Sequence, residues 1–177
     1  GVKTVSQTSV WKDSISLWTY EIKLYKEHAP PVAYRNRGLA LQDRGEFQAS
    51  LDDFNMVIRI DPMNKDAFSN RGLTYQSTGR LLLALKDYDR AIKIDPMAKT
   101  AINNRGATYG RLKKYDEAKR DFKRALEIDP KLISAHNNLG KLYQMTGDTE
   151  RANYYYKLAA ALGDPWARDY LKREGIK

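Results

Sequence analysis

Lys65–Ala98 reads KDAFSNRGLTYQSTGRLLLALKDYDRAIKIDPMA, and the remainder of the chain is built on this stretch. A shift of 34 residues carries Pro96 onto Pro130, Gly72 onto Gly106, Tyr75 onto Tyr109, Ala84 onto Ala118, Tyr88 onto Phe122 and Ala91 onto Ala125. The reverse shift carries Pro96 onto Pro62, Gly72 onto Gly38 and Tyr88 onto Phe54. Ile-Asp-Pro recurs intact as Ile60-Asp61-Pro62, Ile94-Asp95-Pro96 and Ile128-Asp129-Pro130. A fixed period of this length marks an array of supersecondary units, each unable to bury its apolar face alone.

Inside the window Phe68, Gly72 and Tyr75 fall on one face of a first helix, and Ala84, Tyr88, Ala91 and Ile92 on one face of a second. Gly79 stands where the first helix stops, because glycine takes a left-handed cap without steric cost. Pro96 ends the second helix, since inside a helix it would cost about 3 kcal/mol. Gly72 and Ala84 are small where two helices approach, and Tyr75 and Tyr88 fill the space beside them. The order small, small, aromatic, small, proline, carried by Gly72, Ala84, Tyr88, Ala91 and Pro96, resembles the tetratricopeptide repeat. The resemblance implies an all-α, right-handed superhelical solenoid of four helix-turn-helix repeats with a capping helix at each end.

The repeats are expected over residues 31–64, 65–98, 99–132 and 133–166, with an N-terminal extension and cap over 1–30 and a C-terminal cap over 165–177. The fourth repeat keeps Gly140, Tyr143, Gly147, Ala152, Tyr156 and Ala159, but its proline comes late. Asp164-Pro165 reads as the N-cap and first-turn proline of a last helix presenting Trp166, Tyr170 and Leu171 on one side. Residues 1–8 show no period and are expected to be loose or extended. From Ser9 to Glu27, Trp11, Ile15, Trp18, Ile22 and Tyr25 recur at helical spacing, as in a second helix without its first. Trp18 then stands where Phe54 stands later, and Pro30-Pro31 closes the cap. Such end pieces shield terminal apolar faces from water.

The 177 residues are 42% hydrophobic and 30% charged, a composition that folds and dissolves. No apolar run approaches the roughly 20 residues of a membrane span, and Leu81-Leu82-Leu83-Ala84-Leu85 is far too short. No signal peptide is visible, and Gly1 reads as a cloning remnant at the start of an excised domain. With no cysteine, disulfides and thiolate metal sites are excluded. The net charge is +9, and residues 99–132 hold ten Lys or Arg against five Asp or Glu, where residues 31–64 hold four against five. The excess lies in Arg111, Lys113, Lys114, Lys119, Arg120, Lys123 and Arg124. It reads first as a solvated outer face, with an acidic partner as the alternative. Leu82 and Leu83 read as partly buried, the alternative being a patch for homo-oligomer formation.

Asn-Arg-Gly occurs three times, at Asn36-Arg37-Gly38, Asn70-Arg71-Gly72 and Asn104-Arg105-Gly106, and becomes Asn138-Leu139-Gly140 in the fourth repeat. Leucine is common at the arginine position in the family, which puts Arg37, Arg71 and Arg105 in an inward-facing slot. A buried guanidinium without a partner costs several kcal/mol. Sixteen residues downstream stand Asp53, Asp87 and Asp121, so three interhelical pairs are expected; sixteen downstream of Leu139 stands Tyr155.

The asparagines persist in all four copies. A side-chain amide offers a donor and an acceptor together, matching the peptide group of an extended chain. Asn36, Asn70, Asn104 and Asn138 resemble the asparagine ladder in the repeat domain of O-linked N-acetylglucosamine transferases, which holds a polypeptide by its backbone. The alternative is that each amide bonds its neighbouring repeat. Arg35, Ser69, Asn103 and Asn137, with Leu39, Leu73, Ala107, Lys141, Gln42, Gln76 and Gln144, would line the same peptide-binding groove. A carboxylate clamp is not expected, because only Arg35, Arg111 and Lys141 could supply it.

No catalytic constellation is present. His28 and His136 have neither metal-ligand spacing nor a motif carboxylate and read as surface or packing residues; no phosphate loop or nucleophile elbow occurs. The expectation is a non-enzymatic scaffold with no cofactor and no metal, binding an extended peptide or partner protein. Nucleic acid is disfavoured, because helical-repeat RNA binders have a slightly longer period and lack the Ile-Asp-Pro ending. The run from Trp11 to Trp18 also resembles the segment after the last span of multi-spanning, glycosyltransferase-like membrane proteins, with Gln7 and Thr8 where those proteins carry arginine and asparagine. That resemblance implies an accessory or oligomerisation domain on the extracytoplasmic side, without membrane insertion of this segment; otherwise the domain is cytoplasmic.

Overall fold

The computed structural model describes residues 14–176, so the loose segment expected over 1–8 and the periodic position Trp11 lie outside the described residues. Among the described residues there are ten α-helices, one 3-10 turn and no strand. Helix α1 is Ser14–Tyr25, followed by a 3-10 turn at Lys26–His28. Then come α2 (Pro31–Asp43), α3 (Phe47–Ile60), α4 (Lys65–Ser77), α5 (Leu81–Ile94), α6 (Lys99–Arg111), α7 (Tyr115–Ile128), α8 (Ile133–Met145), α9 (Thr149–Ala161) and α10 (Pro165–Arg173). The first helix of each hairpin starts at Pro31, Lys65, Lys99 or Ile133, in step with the sequence period. The helices form two compact units that divide between Ile94 and Asp95, α1–α5 and α6–α10.

Each hairpin closes on a missing side chain. A Cβ built on Gly38 would lie 3.0 Å from Phe54, on Gly72 2.9 Å from Tyr88, on Gly106 2.8 Å from Phe122 and on Gly140 2.5 Å from Tyr156. Burial of the aromatic ring against bare backbone therefore depends on glycine at that step. Ala84, Ala91, Ala118, Ala125 and Ala159 are fully buried on the second helices, which lets neighbouring backbones approach. Burying one such aromatic contributes on the order of 2 kcal/mol.

The turns follow local chemistry. Gly45, Gly79 and Gly147 adopt φ of 77°, 76° and 82° between the helices of their hairpins. The third hairpin uses Lys113 at φ 60°, a left-handed conformation that costs a side-chain-bearing residue about 1 kcal/mol. The recurring Ile-Asp-Pro is a stop and a lock together: proline blocks the helix, and the aspartate accepts a backbone hydrogen bond two residues on. These bonds are Met63 N to Asp61 at 3.0 Å, Met97 N to Asp95 at 2.9 Å and Lys131 N to Asp129 at 3.0 Å. Asp129 also accepts from Lys99 Nζ at 2.6 Å, and this bond, with the Lys131 amide, holds its carboxyl below the usual carboxylate range.

The ends differ from the middle. Helix α1 buries no residue, and Trp18 is half-buried where Phe54 is wholly buried; among the described residues no helix precedes α1. At the other end Asp164 caps α10 by accepting from Ala167 N at 2.8 Å, and Ala167 and Leu171 face inward. Trp166 stays 53% exposed. One expectation needs correction: Leu82 is 68% exposed and Leu83 41%, so the pair is not partly buried in the core. The inward positions of α5 start at Ala84 and repeat at Asp87, Tyr88, Ala91 and Ile92, which leaves 82 and 83 on the outer side of the first turn.

Candidate binding face and the clasps behind it

Three arginines reach from first helix to second inside their hairpins. Arg37 Nε donates to Asp53 Oδ2 at 2.8 Å and Nη2 to Oδ1 at 2.7 Å. The same two distances recur for Arg71 with Asp87 and for Arg105 with Asp121. The aspartates are buried and the arginines mostly so. Two parallel hydrogen bonds fix a planar guanidinium against a planar carboxylate. The bond to the aspartate raises the pKa of Arg37 and of Arg71, against an opposing effect of burial. The remaining arm of Arg71 donates to Asn55 Oδ1 at 2.7 Å, tying its hairpin to the preceding second helix. The sequence reading of these pairs agrees with the geometry.

With the arginine engaged behind the helix, the asparagine one residue earlier stands on a different face. In the first unit Asn36 is half-buried and receives only long contacts, 3.4 Å, from Arg35 Nε and Nη2. Asn70 is half-buried, and its amide hydrogen-bonds to none of the described residues; its backbone carbonyl accepts from Thr74 Oγ1 at 3.1 Å. Ser69 and Leu73 flank it, both half-buried.

In the second unit the amides are partly spent on each other. Asn138 Nδ2 donates to Asn103 Oδ1 at 3.0 Å, and Asn103 Nδ2 lies 3.5 Å from Asn104 Oδ1. Asn103 is only 4% exposed, so it belongs to the seam between α6 and α8 rather than to an open groove. Asn137 is half-buried, with a buried Oδ1 that has no partner. Asn138 keeps its carbonyl oxygen, and Lys141 is exposed beside it.

A further pairing was only partly legible in the chain. Tyr88 OH donates to Gln76 Oε1 at 3.1 Å, and Tyr156 OH donates to Gln144 Oε1 at 3.1 Å, each across twelve residues. Twelve before Phe122 stands Gly110, but twelve before Phe54 stands Gln42, so the glutamine does not follow the hydroxyl. Gln76 and Gln144 therefore answer a phenol from behind as well as facing forward. Burial pushes the Tyr156 phenol up to about 12 and raises Tyr88 further.

The histidines take no part in this face. His28 is exposed at the end of the 3-10 turn, and His136 is buried with Nε2 2.9 Å from the Pro130 carbonyl. Among the described residues no cluster of His, Cys, Asp or Glu could hold a metal, and no helix is long and apolar enough to cross a membrane.

Repeated helical hairpins closed by glycine against an aromatic ring, each ended by Asp-Pro or a late proline, define a protein-interaction scaffold of the tetratricopeptide type. Tetratricopeptide repeat profiles match residues 66–97 and 100–132, and a second profile of the same description matches 122–152. The chain carries tetratricopeptide repeats over these residues. No curated protein sequence matches it significantly. Among solved structures it is similar to MamA, at 18% identity over 92% of this chain and 95% of that one, with a TM-score of 0.75. It is also similar to the first such domain of Spaghetti (RPAP3) bound to the HSP90 peptide SRMEEVD, at 26% identity over 66% and 93% with a TM-score of 0.63. The Arabidopsis OM64 domain is 22% identical over 65% and 95%, with a TM-score of 0.62.

Proposed function

We propose that the domain is a non-enzymatic scaffold that holds an extended peptide along the face of its first helices, with side-chain amides bonding the peptide backbone. The observation that carries this is Asn70: a half-buried amide left open by its own fold, between Ser69 and Leu73. Asn36 in the same unit would add a backbone contact, with Arg35 and Gln76 selecting side chains; in the second unit, taken by itself, Asn104 and Asn138 would play the same part, with Lys141 beside them. Asn103 and Asn137 would act by setting the orientation of their neighbours. A similar domain carries a bound peptide in its solved structure, which supports the class of ligand.

The test begins with peptides selected from a displayed random library on the wild-type domain, titrated against an Asn36→Ala/Asn70→Ala variant. Affinity should fall at least about ten-fold, since each lost hydrogen bond is worth about 1 kcal/mol. Selected peptides that bind the variant as well as the wild type would remove the amides from the account.

A further inference from the structure

The first unit holds a cleft formed by α1, the 3-10 turn, α2 and α3. It measures about 520 Å³ and is lined by Ile22, Lys23, Lys26, Glu27, Tyr34, Met56, Arg59 and Ile60. That size falls within the roughly 300–1,000 Å³ of pockets that take a ligand or an anchoring side chain. Its floor is apolar, from Ile22, Tyr34, Met56 and Ile60, and its rim carries three cations against one carboxylate. Lys23, Lys26, Arg59 and Ile60 are all exposed.

The cleft lies where this hairpin differs from the second and third. One period after Met56 stands Arg90, whose guanidinium lies 5.8 Å from the centre of the Phe68 ring and 3.7 Å from Met63 Sδ. Another period on, Arg124 Nη2 donates to the Pro96 carbonyl at 2.7 Å. In the second and third hairpins an arginine takes this position, and in the fourth it is Leu158. In the first, a shorter methionine leaves the Tyr34 side of the groove open, and Arg59 turns onto Met56 Sδ instead. At the rim Lys26 adopts φ 49°, a strained conformation of the kind that clusters at ligand-binding positions.

We propose that this cleft docks an acidic segment of a partner protein, with a leucine-like side chain seated on Met56 and Tyr34 and flanking carboxylates paired with Lys23, Lys26 and Arg59. None of its lining residues is one of the amide-face residues, so either site can fail alone.

The test is a titration of a short fluorescent peptide of alternating glutamate and leucine pairs, followed by anisotropy and by side-chain methyl NMR. Saturable binding should shift the methyl signals of Ile22, Met56 and Ile60 and leave Leu73 unmoved. Binding should be lost in Met56→Arg, which refills the cleft as Arg90 does, and retained in Met56→Leu. Lys23→Glu/Arg59→Glu should weaken it at least about ten-fold, because rim charges set the attraction of an acidic partner. That charge-reversed variant carries the test alone if Met56→Arg does not fold. Equal binding of the same peptide with glutamine for glutamate, unchanged binding by Met56→Arg, or shifts centred on Leu73 would overturn the proposal. Binding to phosphatidylglycerol vesicles but not to the peptide would overturn it in favour of a lipid surface.

Discussion

In the third hairpin Arg105 and Asp121 close α6 onto α7 with hydrogen bonds of 2.8 and 2.7 Å, whereas in the fourth Leu139 and Tyr155 occupy the same two positions. Leu139 is wholly buried there, and the Tyr155 ring stacks on Tyr143 at 5.6 Å with the planes 7° apart. Arg151 lies over the other partner of that stack, 5.0 Å from the Tyr143 centroid. The same slot accepts a paired charge or an apolar stack, and both leave an asparagine on the first-helix face. Half of either solution would leave a charge or a ring in the slot without its partner.

The largest expected effect comes from making that half. Asp121→Ala leaves a mostly buried guanidinium without its carboxylate and should lower the urea-unfolding free energy by about 3 kcal/mol. Adding the fourth hairpin's pair, Arg105→Leu with Asp121→Tyr, should bring stability back to within about 1 kcal/mol of wild type, because an apolar replacement removes both desolvated charges. A double variant as unstable as the single would show that the slots are not equivalent.

Next in size is the glycine step. Gly140→Ala would meet Tyr156 at 2.5 Å and should cost about 2–3 kcal/mol, while Gly38→Ala, facing Phe54 at 3.0 Å, should cost nearer 1 kcal/mol. Equal losses in thermal melts of the two variants would mean that the rings shift freely.

Smaller again is the phenol. Tyr156→Phe removes the bond to Gln144 and should cost about 1 kcal/mol at neutral pH. Its alkaline behaviour has a definite sign. Burial disfavours the phenolate, so the folded pKa, about 12, lies above the unfolded 10.0. The stability it contributes is complete below pH 10 and is lost as pH rises toward 12. Tyr156→Phe should flatten that loss in unfolding curves taken at high pH, though Tyr88 still contributes. A decline identical to wild type would contradict burial as the cause. The smallest expected change is a gain: Lys113→Gly relieves a left-handed lysine and should stabilise by up to about 1 kcal/mol in the same melts.

The hairpins, their turns and the three arginine–aspartate pairs were readable from residues alone, since period, glycine, proline and a sixteen-residue spacing all constrain backbone geometry. The open cleft beside Met56 was not, because it depends on a side chain being shorter than the arginines one and two periods later. The bond from Asn138 to Asn103 is the neighbouring-repeat alternative that the sequence offered beside the ladder, and the sequence could not choose between them. Both residues read as polar groove positions, and only the approach of α8 to α6 turns one amide toward the other. The Gln–Tyr bond leaves only a partial trace: Gln76–Tyr88 and Gln144–Tyr156 share one spacing, but Gln42 stands at that spacing before Phe54, which has no hydroxyl.

The central claim is that the first-helix amides grip a peptide by its main chain. A scan in which successive amide nitrogens of a selected peptide are methylated tests it most directly, because methylation removes the donor and keeps the side chain. Affinity for the wild-type domain should collapse at spaced positions, while alanine at those same positions changes it little. A peptide that tolerates methylation throughout, and loses affinity only when its side chains are cut back, would contradict the claim.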